Sequence, residues 1–176
     1  FVYVAGTPFA YISFYHVPPR YYGLLFGAGI LGIMATNMLN ARLAHRIGSD
    51  RMLRFGTFQA AAAGILVALA AWGGYGGLWG LVVPLFIFAS ATGFIVANSI
   101  SGALNVSPER SGSVSAFVGA AQYGSGILGS GLIGVFADGT PWPMGWVVAL
   151  TGVGSFLCAL ALLLHYGGSR GQKDCL

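Results

Sequence analysis

Apolar runs of about twenty residues, repeated along the whole chain, constrain this sequence more than any other feature. A helix needs about 20 apolar residues to cross the hydrocarbon core of a bilayer. Five runs have that length, and a sixth, at the start of the chain, is shorter. The six runs cover residues 1–15, 22–41, 53–72, 78–98, 112–136 and 144–165. Charged residues make up only 7% of the chain, against about 25% in soluble domains. We therefore predict an all-α integral membrane protein with six spans.

The first run begins at residue 1 without a polar flank. We interpret it as a span whose beginning is missing, so that the chain is a piece of a longer protein cut within a membrane span. The alternative is a short or re-entrant segment.

Basic residues lie in alternate connections between the runs. Seven of the eight Lys and Arg residues lie in connections on the same side of the membrane. Four of them, with one aspartate, form a basic loop between the second and third runs. The basic loop contains Arg42, Arg46, Asp50, Arg51 and Arg54. Cytoplasmic connections of membrane proteins are enriched in Lys and Arg. The pattern predicts that both ends of the chain are cytoplasmic, with residues 1–166 as the membrane bundle and 167–176 as a tail. All four tryptophans fall at the opposite interface.

Catalytic, metal and nucleic-acid sites have little support in the sequence. The three histidines lie at span ends or in connections, without Cys, His or carboxylate partners at metal-ligand spacing. There is no phosphate-binding loop with Gly, Lys and Ser or Thr. The basic residues form no stripe interleaved with exposed aromatic residues. We expect no enzyme activity, no metal, no cofactor and no nucleic-acid partner, and the lipid bilayer as the surroundings.

Small residues recur at every fourth position in four runs, which places them along one face of each helix. The sets are Ala28, Gly32, Thr36 and Asn40; Gly56, Ala60, Gly64 and Ala68; Ala89, Gly93, Ala97 and Ser101; and Gly126, Ser130 and Gly134. Such faces let neighbouring helices approach closely. Two interpretations remain open, which are tight packing and a sliding movement of the helices during a conformational cycle.

A few residues within the runs are candidates for the wall of a ligand cavity. They are Pro8, Phe9, Tyr11, Asn37, Asn98, Gln122 and Tyr123. An amide buried in lipid needs a hydrogen-bond partner, so each amide either bonds to another helix or lines a cavity. Pro8 lacks a backbone donor and predicts a break in the first run. No Asp, Glu, His, Lys or Arg lies in the middle of a run.

Several short motifs, in order along the chain, resemble those of one family. They are YVAGTPFAYI at 3–12, YGLLF at 22–26, the basic loop and its flanks at 40–56, PLF at 84–86, GFIVAN at 93–98 and GSVSAFVGAAQ at 112–122. Together they resemble the Bcr/CflA drug-efflux transporters of the major facilitator superfamily over nearly the whole chain. Ala97, and Ser49 followed by Asp50, depart from the residues usual in that family.

The resemblance implies a fold of twelve helices in two halves, each built from two inverted three-helix repeats. This chain would be the C-terminal half, with its first helix truncated. The first, second, fourth and fifth runs would line a substrate cavity shared with the absent N-terminal half. The basic loop would serve as a conformational latch, or only as a topology signal near lipid headgroups.

The same resemblance implies a proton-coupled exporter of small amphipathic drug-like molecules, which works by alternating access in the inner (plasma) membrane of a bacterium. It needs a proton gradient and no cofactor, and its coupling group would lie in the other half. The alternative is a six-helix structural or channel-like protein that acts as a homo-oligomer.

Overall fold

All regular structure is helical in the part of the chain that the computed structural model describes, residues 1–106 and 108–171. The helices are α1 (Val2–Pro8), α2 (Pro19–Ile47), α3 (Ser49–Gly73), α4 (Gly77–Val106), α5 (Ser111–Val135) and α6 (Trp142–Gly171). A π-helical segment, Phe9–Phe14, continues α1, and a 3-10 turn, Pro108–Arg110, precedes α5. The predicted tail begins inside α6, which runs to Gly171, and residues 172–176 lie outside the described part.

Four of the helices, α2, α3, α4 and α6, are long and apolar enough to cross a membrane. Helix α5 has 25 residues, which is long enough, but it does not reach the same apolar level. Seven glycines and five serines lower its hydropathy. The four helices α2, α3, α4 and α6 agree with the predicted multi-pass membrane protein. That Val2–Phe14 and α5 also cross the bilayer, and that the six helices form two inverted repeats, stay predictions.

The segment predicted as the basic loop is helical apart from Gly48, so the prediction of a loop there is wrong. Helix α2 continues to Ile47 and α3 begins at Ser49, so Gly48 alone connects them. Gly48 has a φ of 89°, a conformation that glycine adopts without steric cost. Basic side chains in the last turn of α2 favour its extension, because cations stabilise a helix C-terminus.

The first helix changes type at Pro8, where the sequence predicted a break. Residues up to Pro8 are α-helical, and the next six, Phe9–Phe14, form a π-helix. Proline has no N–H to donate to the preceding turn, so the hydrogen-bond ladder shifts at this position. Segments of π-helix are rare and often lie at functional sites.

Helix α3 lies between α6 and α4, and α2 packs on the other side of α4. Small residues bring the backbones of α3 and α6 together. A Cβ added to Gly152 would lie 2.6 Å from the carbonyl oxygen of Ala60, and one added to Gly64 would lie 3.0 Å from that of Val148. A side chain at position 152 would clash with this backbone, and one at position 64 would be very tight. The small-residue stripe of α3 is therefore in tight packing contact.

Helix α5 sits at the edge of this four-helix packing. Its buried residues are Gly126 and Gly129, which receive the side chains of Phe1 and Val2 from the start of the chain. Other glycines of α5, including Gly131, have no atom within 4 Å of where a Cβ would lie. The small residues of α5 are thus mostly unused for packing within the described residues.

Aromatic side chains gather where α3 and α5 end and α6 begins. The rings of Trp72 and Trp142 are 6.5 Å apart, and those of Phe136 and Trp146 are 5.6 Å apart. Tryptophan is enriched at membrane–water interfaces. This end of the molecule, which we call the aromatic end, therefore fits an interfacial position.

Candidate functional site

Asn98 is the centre of a buried hydrogen-bonded cluster that joins three helices. Its side-chain nitrogen donates to Asn40 Oδ1 and to the Phe94 carbonyl oxygen, both at 2.7 Å. Its side-chain oxygen accepts a hydrogen bond from Ser49 Oγ, also at 2.7 Å. We call Asn40, Asn98 and Ser49 the asparagine cluster. It ties the end of α2 and the start of α3 to α4, directly beside the basic residues.

The cluster answers the question that the sequence left open about Asn98. Its side chain is only 5% exposed, and both of its N–H donors have partners in the protein. The structure therefore places this candidate in an interhelical hydrogen bond, the first of the two interpretations. A contact of Asn98 with a ligand stays a prediction.

Tyr11 lies inside an aromatic cluster between α1 and α2. It is 2% exposed, and its ring meets the ring of Tyr22 edge-on at 6.3 Å. The hydroxyl of Tyr22 is hydrogen-bonded to that of Thr7 at 3.3 Å, and its ring also packs on Phe26. The cluster fixes the broken first helix against α2.

Pro8 and Phe9 do not share the position of Tyr11. Pro8 is half-buried, and Phe9 is 36% exposed. Phe9 and Tyr11, which are both candidates for the cavity wall, therefore lie apart, because Tyr11 is packed among other rings while Phe9 reaches the surface.

The remaining candidates are polar side chains on exposed helix faces. Asn37 on α2 and Gln122 on α5 are both exposed, and Tyr123 is 65% exposed, with its ring 5.4 Å from that of Phe1. An amide that faces hydrocarbon has no water to bond to. Exposed amides within an apolar helix therefore indicate surfaces that meet other protein or a hydrated cavity.

Two polar contacts to α4 were not predicted from the sequence. Gln59 on α3 donates through its side-chain nitrogen to the Ile87 carbonyl oxygen at 3.1 Å. Thr36 on α2 donates through Oγ1 to the Ser90 carbonyl oxygen at 2.7 Å. Both acceptors lie in the middle of α4, so two neighbouring helices hold its backbone directly. The signal was present, since Gln59 stands near the middle of an apolar run.

The basic residues lie on the outside of the α2–α3 turn. Arg42, Arg46, Arg51 and Arg54 are exposed, as is Asp50. Residues 45–51 line an open cavity of about 520 Å³. The arrangement places positive charge around one end of the bundle, next to the asparagine cluster.

Two curated relatives match almost the whole chain. The chain is 31% identical over 154 residues to an uncharacterized MFS-type transporter, YdgK, of Bacillus subtilis, a match that covers 87% of this chain and 38% of the relative. It is 25% identical over 174 residues to a bicyclomycin resistance protein homolog of Haemophilus influenzae. This match covers 99% of the chain and 42% of that relative. The chain thus spans less than half the length of either relative.

No family model and no solved structure matches the chain. The helical bundle and the two relatives nevertheless agree with the motifs read from the sequence. The chain therefore belongs to the major facilitator superfamily of transporters, and its resemblance to the bicyclomycin resistance group is confirmed.

Proposed function

We propose that this chain is the C-terminal half of a drug exporter that uses a proton gradient and works by alternating access. The observation that carries the proposal is the match of nearly the whole chain to transporters more than twice as long as the matched part, one of them named for bicyclomycin resistance. Substrate binds between this half and an N-terminal six-helix half. The substrates are small amphipathic molecules.

The exposed faces of α2 and α5 support this arrangement. Both helices belong to the predicted cavity wall, and both carry exposed amides, Asn37 and Gln122. Exposed amides suit a surface that meets substrate, water or the other half. In this proposal Phe9 and Tyr123 add aromatic surface, and Asn98 and Tyr11 hold the wall in shape from behind.

Energy coupling is assigned to the other half in this proposal. The membrane-crossing parts of the described helices contain no Asp, Glu, His, Lys or Arg in their middle. A proton-driven transporter needs a titratable group within the membrane, where such residues are usually functional. We place the coupling carboxylate outside this chain.

Orientation and the latch belong to the same proposal. The basic end of the bundle lies in the cytoplasm of a bacterial cell, and the protein sits in its inner membrane. The basic residues beside the asparagine cluster act as a latch between the two halves. The homo-oligomeric alternative has no support from relatives of more than twice the matched length.

The experiment is transport of bicyclomycin by the protein with both halves, reconstituted in liposomes with an imposed proton gradient. We expect uphill movement that stops when an ionophore collapses the gradient, and no transport by residues 1–176 alone. Uphill movement by the 176-residue chain alone would contradict the two-half proposal.

A variant pair tests the cavity wall. Gln122→Ala in the protein with both halves is expected to change the spectrum of drugs resisted. Ser125→Ala is the matched control. Ser125 is also exposed on α5, and its hydroxyl donates only to the backbone carbonyl oxygen of Gln122 on the same helix. An unchanged spectrum at normal expression returns Gln122 to a packing role.

A further inference from the structure

A crevice at the aromatic end lies between the break in the first helix, the end of α5 and the start of α6. Its volume is about 200 Å³, and it is lined by residues that include Gly6, Phe9, Gly134, Ala137, Pro143 and Met144. It is distinct from the exposed amides of α2 and α5 discussed above. It shares Phe9 with the proposed cavity wall, and its other lining residues have no part in that wall.

The lining of the crevice is apolar and offers water almost nothing to bond to. Its one side-chain hydroxyl, that of Thr140, already donates to Asp138 at 2.7 Å and accepts from the Trp142 N–H at 3.3 Å. An ordered buried water usually makes about three hydrogen bonds. An engineered, enclosed apolar cavity of roughly 150 Å³ in a soluble protein stays dry and binds benzene or xenon. The crevice therefore favours an apolar occupant over water.

The shape of the crevice selects a compact occupant. On each side the lining extends over about one helical turn, from Gly6 to Phe9 and from Ile133 to Ala137, or roughly 5 Å of helix. One leaflet of the hydrocarbon core is about 15 Å deep. An extended acyl chain enters such a space only in part, whereas a molecule with a single ring fits inside it.

Two glycines create this space in different ways. Gly6 lets the Met144 side chain approach, since a Cβ there would lie 2.6 Å from the Met144 sulfur. Gly134 leaves its side open, because no atom lies within 4 Å of where its Cβ would be. A large side chain at position 134 would thus enter the crevice without displacing a packed neighbour.

We propose that this crevice is a binding site for a compact, uncharged, single-ring molecule that arrives from the membrane. Such a molecule contacts Phe9 on the broken first helix, Met144 on α6 and the open side of Gly134 on α5. The site binds through apolar contact alone and takes no charged ligand.

The experiment is photolabelling of the full-length protein in lipid nanodiscs with a phenyl trifluoromethyl diazirine, with bromobenzene as competitor and mass spectrometry of the labelled peptides. We expect labelling of residues 133–144 to saturate and to be lost on competition. Labelling of lipid-facing residues elsewhere is expected to rise linearly with probe. Absence of a competable component in residues 133–144 overturns the proposal, including the case in which another part of the protein covers the crevice.

Three variants locate the competable labelling. Gly134→Phe and Ala137→Phe fill the crevice from two positions and are expected to abolish it. Gly131→Phe is the matched control, since Gly131 also has no atom near its Cβ position but does not line the crevice. Competable labelling that survives in both filled variants, or that is also lost in Gly131→Phe, contradicts the proposal. Thermal unfolding of each variant distinguishes a loss of labelling from a loss of folded protein.

Discussion

Helices α3 and α5 have the same length and the same kind of small-residue pattern, but they lie in opposite surroundings. Each has 25 residues. Nine residues of α3 are buried, whereas α5 buries two glycines. In α3 the small residues bring its backbone against α6 and α4. In α5 most of them face open space. The pattern shows that a helix can be approached closely, and the neighbours decide whether it is.

This difference separates the two interpretations of the small-residue stripes. The stripe of α3 is in close backbone contact, so sliding there would disturb packed atoms on both sides. Other glycines of α5, such as Gly119 and Gly124, have open space beside them and are free to receive another surface, which we propose belongs to the N-terminal half. The rigid part of the chain is then the packing of α2, α3, α4 and α6, and α5 is the contact helix.

The largest expected effect comes from enlarging a glycine in the packed region. Gly152→Leu forces a side chain against the Ala60 carbonyl and is expected to destabilise the protein by about 2 kcal/mol or more, since overpacking typically costs 1–3 kcal/mol. Gly131→Leu on α5 is the matched control and is expected to leave stability unchanged. Thermal unfolding of the purified chain in detergent measures both. Equal losses would mean that α3 and α5 are packed alike.

A second, smaller effect is expected at the asparagine cluster. Asn98→Leu leaves the side-chain oxygen of Asn40 and the hydroxyl of Ser49 without their partner, and an unsatisfied buried polar group costs about 1–3 kcal/mol. Asn37→Leu changes an exposed amide and is expected to stay within about 0.5 kcal/mol of the parent.

The double variant Asn40→Leu with Asn98→Leu sharpens the test. If the two amides bond to each other, the double variant loses less than the sum of the single losses. Additive losses, measured in the same unfolding experiment, would show that the hydrogen bond between the two amides contributes nothing to stability.

A third effect is expected where α2 and α3 hold the backbone of α4. Thr36→Val keeps the shape of the side chain and removes its bond to the Ser90 carbonyl oxygen. Gln59→Leu removes the bond to the Ile87 carbonyl oxygen. Each is expected to cost about 0.6 kcal/mol, the average for interhelical hydrogen bonds in a membrane protein. Ser125→Ala on α5, whose hydroxyl bonds only within its helix, is the control. A loss for Ser125→Ala as large as for Thr36→Val would remove the distinction between the two regions.

The spans that are apolar along their whole length could be predicted from the sequence alone. Runs of Leu, Val, Ile and Ala predicted α2, α3, α4 and α6, because length and hydropathy alone decide them. Their ends were less predictable. Hydropathy alone predicts a loop around Gly48, whereas the basic residues before and after it continue both helices, because Arg is a good helix former.

The candidate site was predictable in composition but not in pairing. Asn40 and Asn98 are 58 positions apart, and nothing in either run indicates which helix faces the other. A single amide such as Gln59 in an Ala-rich run does not indicate the helix to which it bonds. Phe9 and Tyr11 stand two positions apart, which places them about 200° apart around an α-helix of 3.6 residues per turn, so one side chain lies in the core and the other at the surface.

The smallest expected effect lies in the connection between the contact helix and the packed region. Hydrogen bonds from the Thr140 hydroxyl, and next from the Thr140 backbone N–H, hold the pKa of the Asp138 carboxyl below its ordinary value. A folded-state pKa below the unfolded one stabilises the fold above the unfolded pKa, and this contribution is lost as the pH falls through the folded value.

Thr140→Val removes the first of these bonds, so we expect the pKa of Asp138 to rise toward its ordinary value. The unfolding temperature should then depend slightly less on pH across the acidic range. Because Asp138 is fully exposed, solvent screens the interaction and the change is expected to be near the limit of detection. Carbon-detected NMR titration of the Asp138 carboxyl, with Asp138→Asn as the control for unfolding, measures both quantities. A large loss of stability on Thr140→Val would show that the connection anchors α5 firmly to α6, and α5 would then belong with the packed helices.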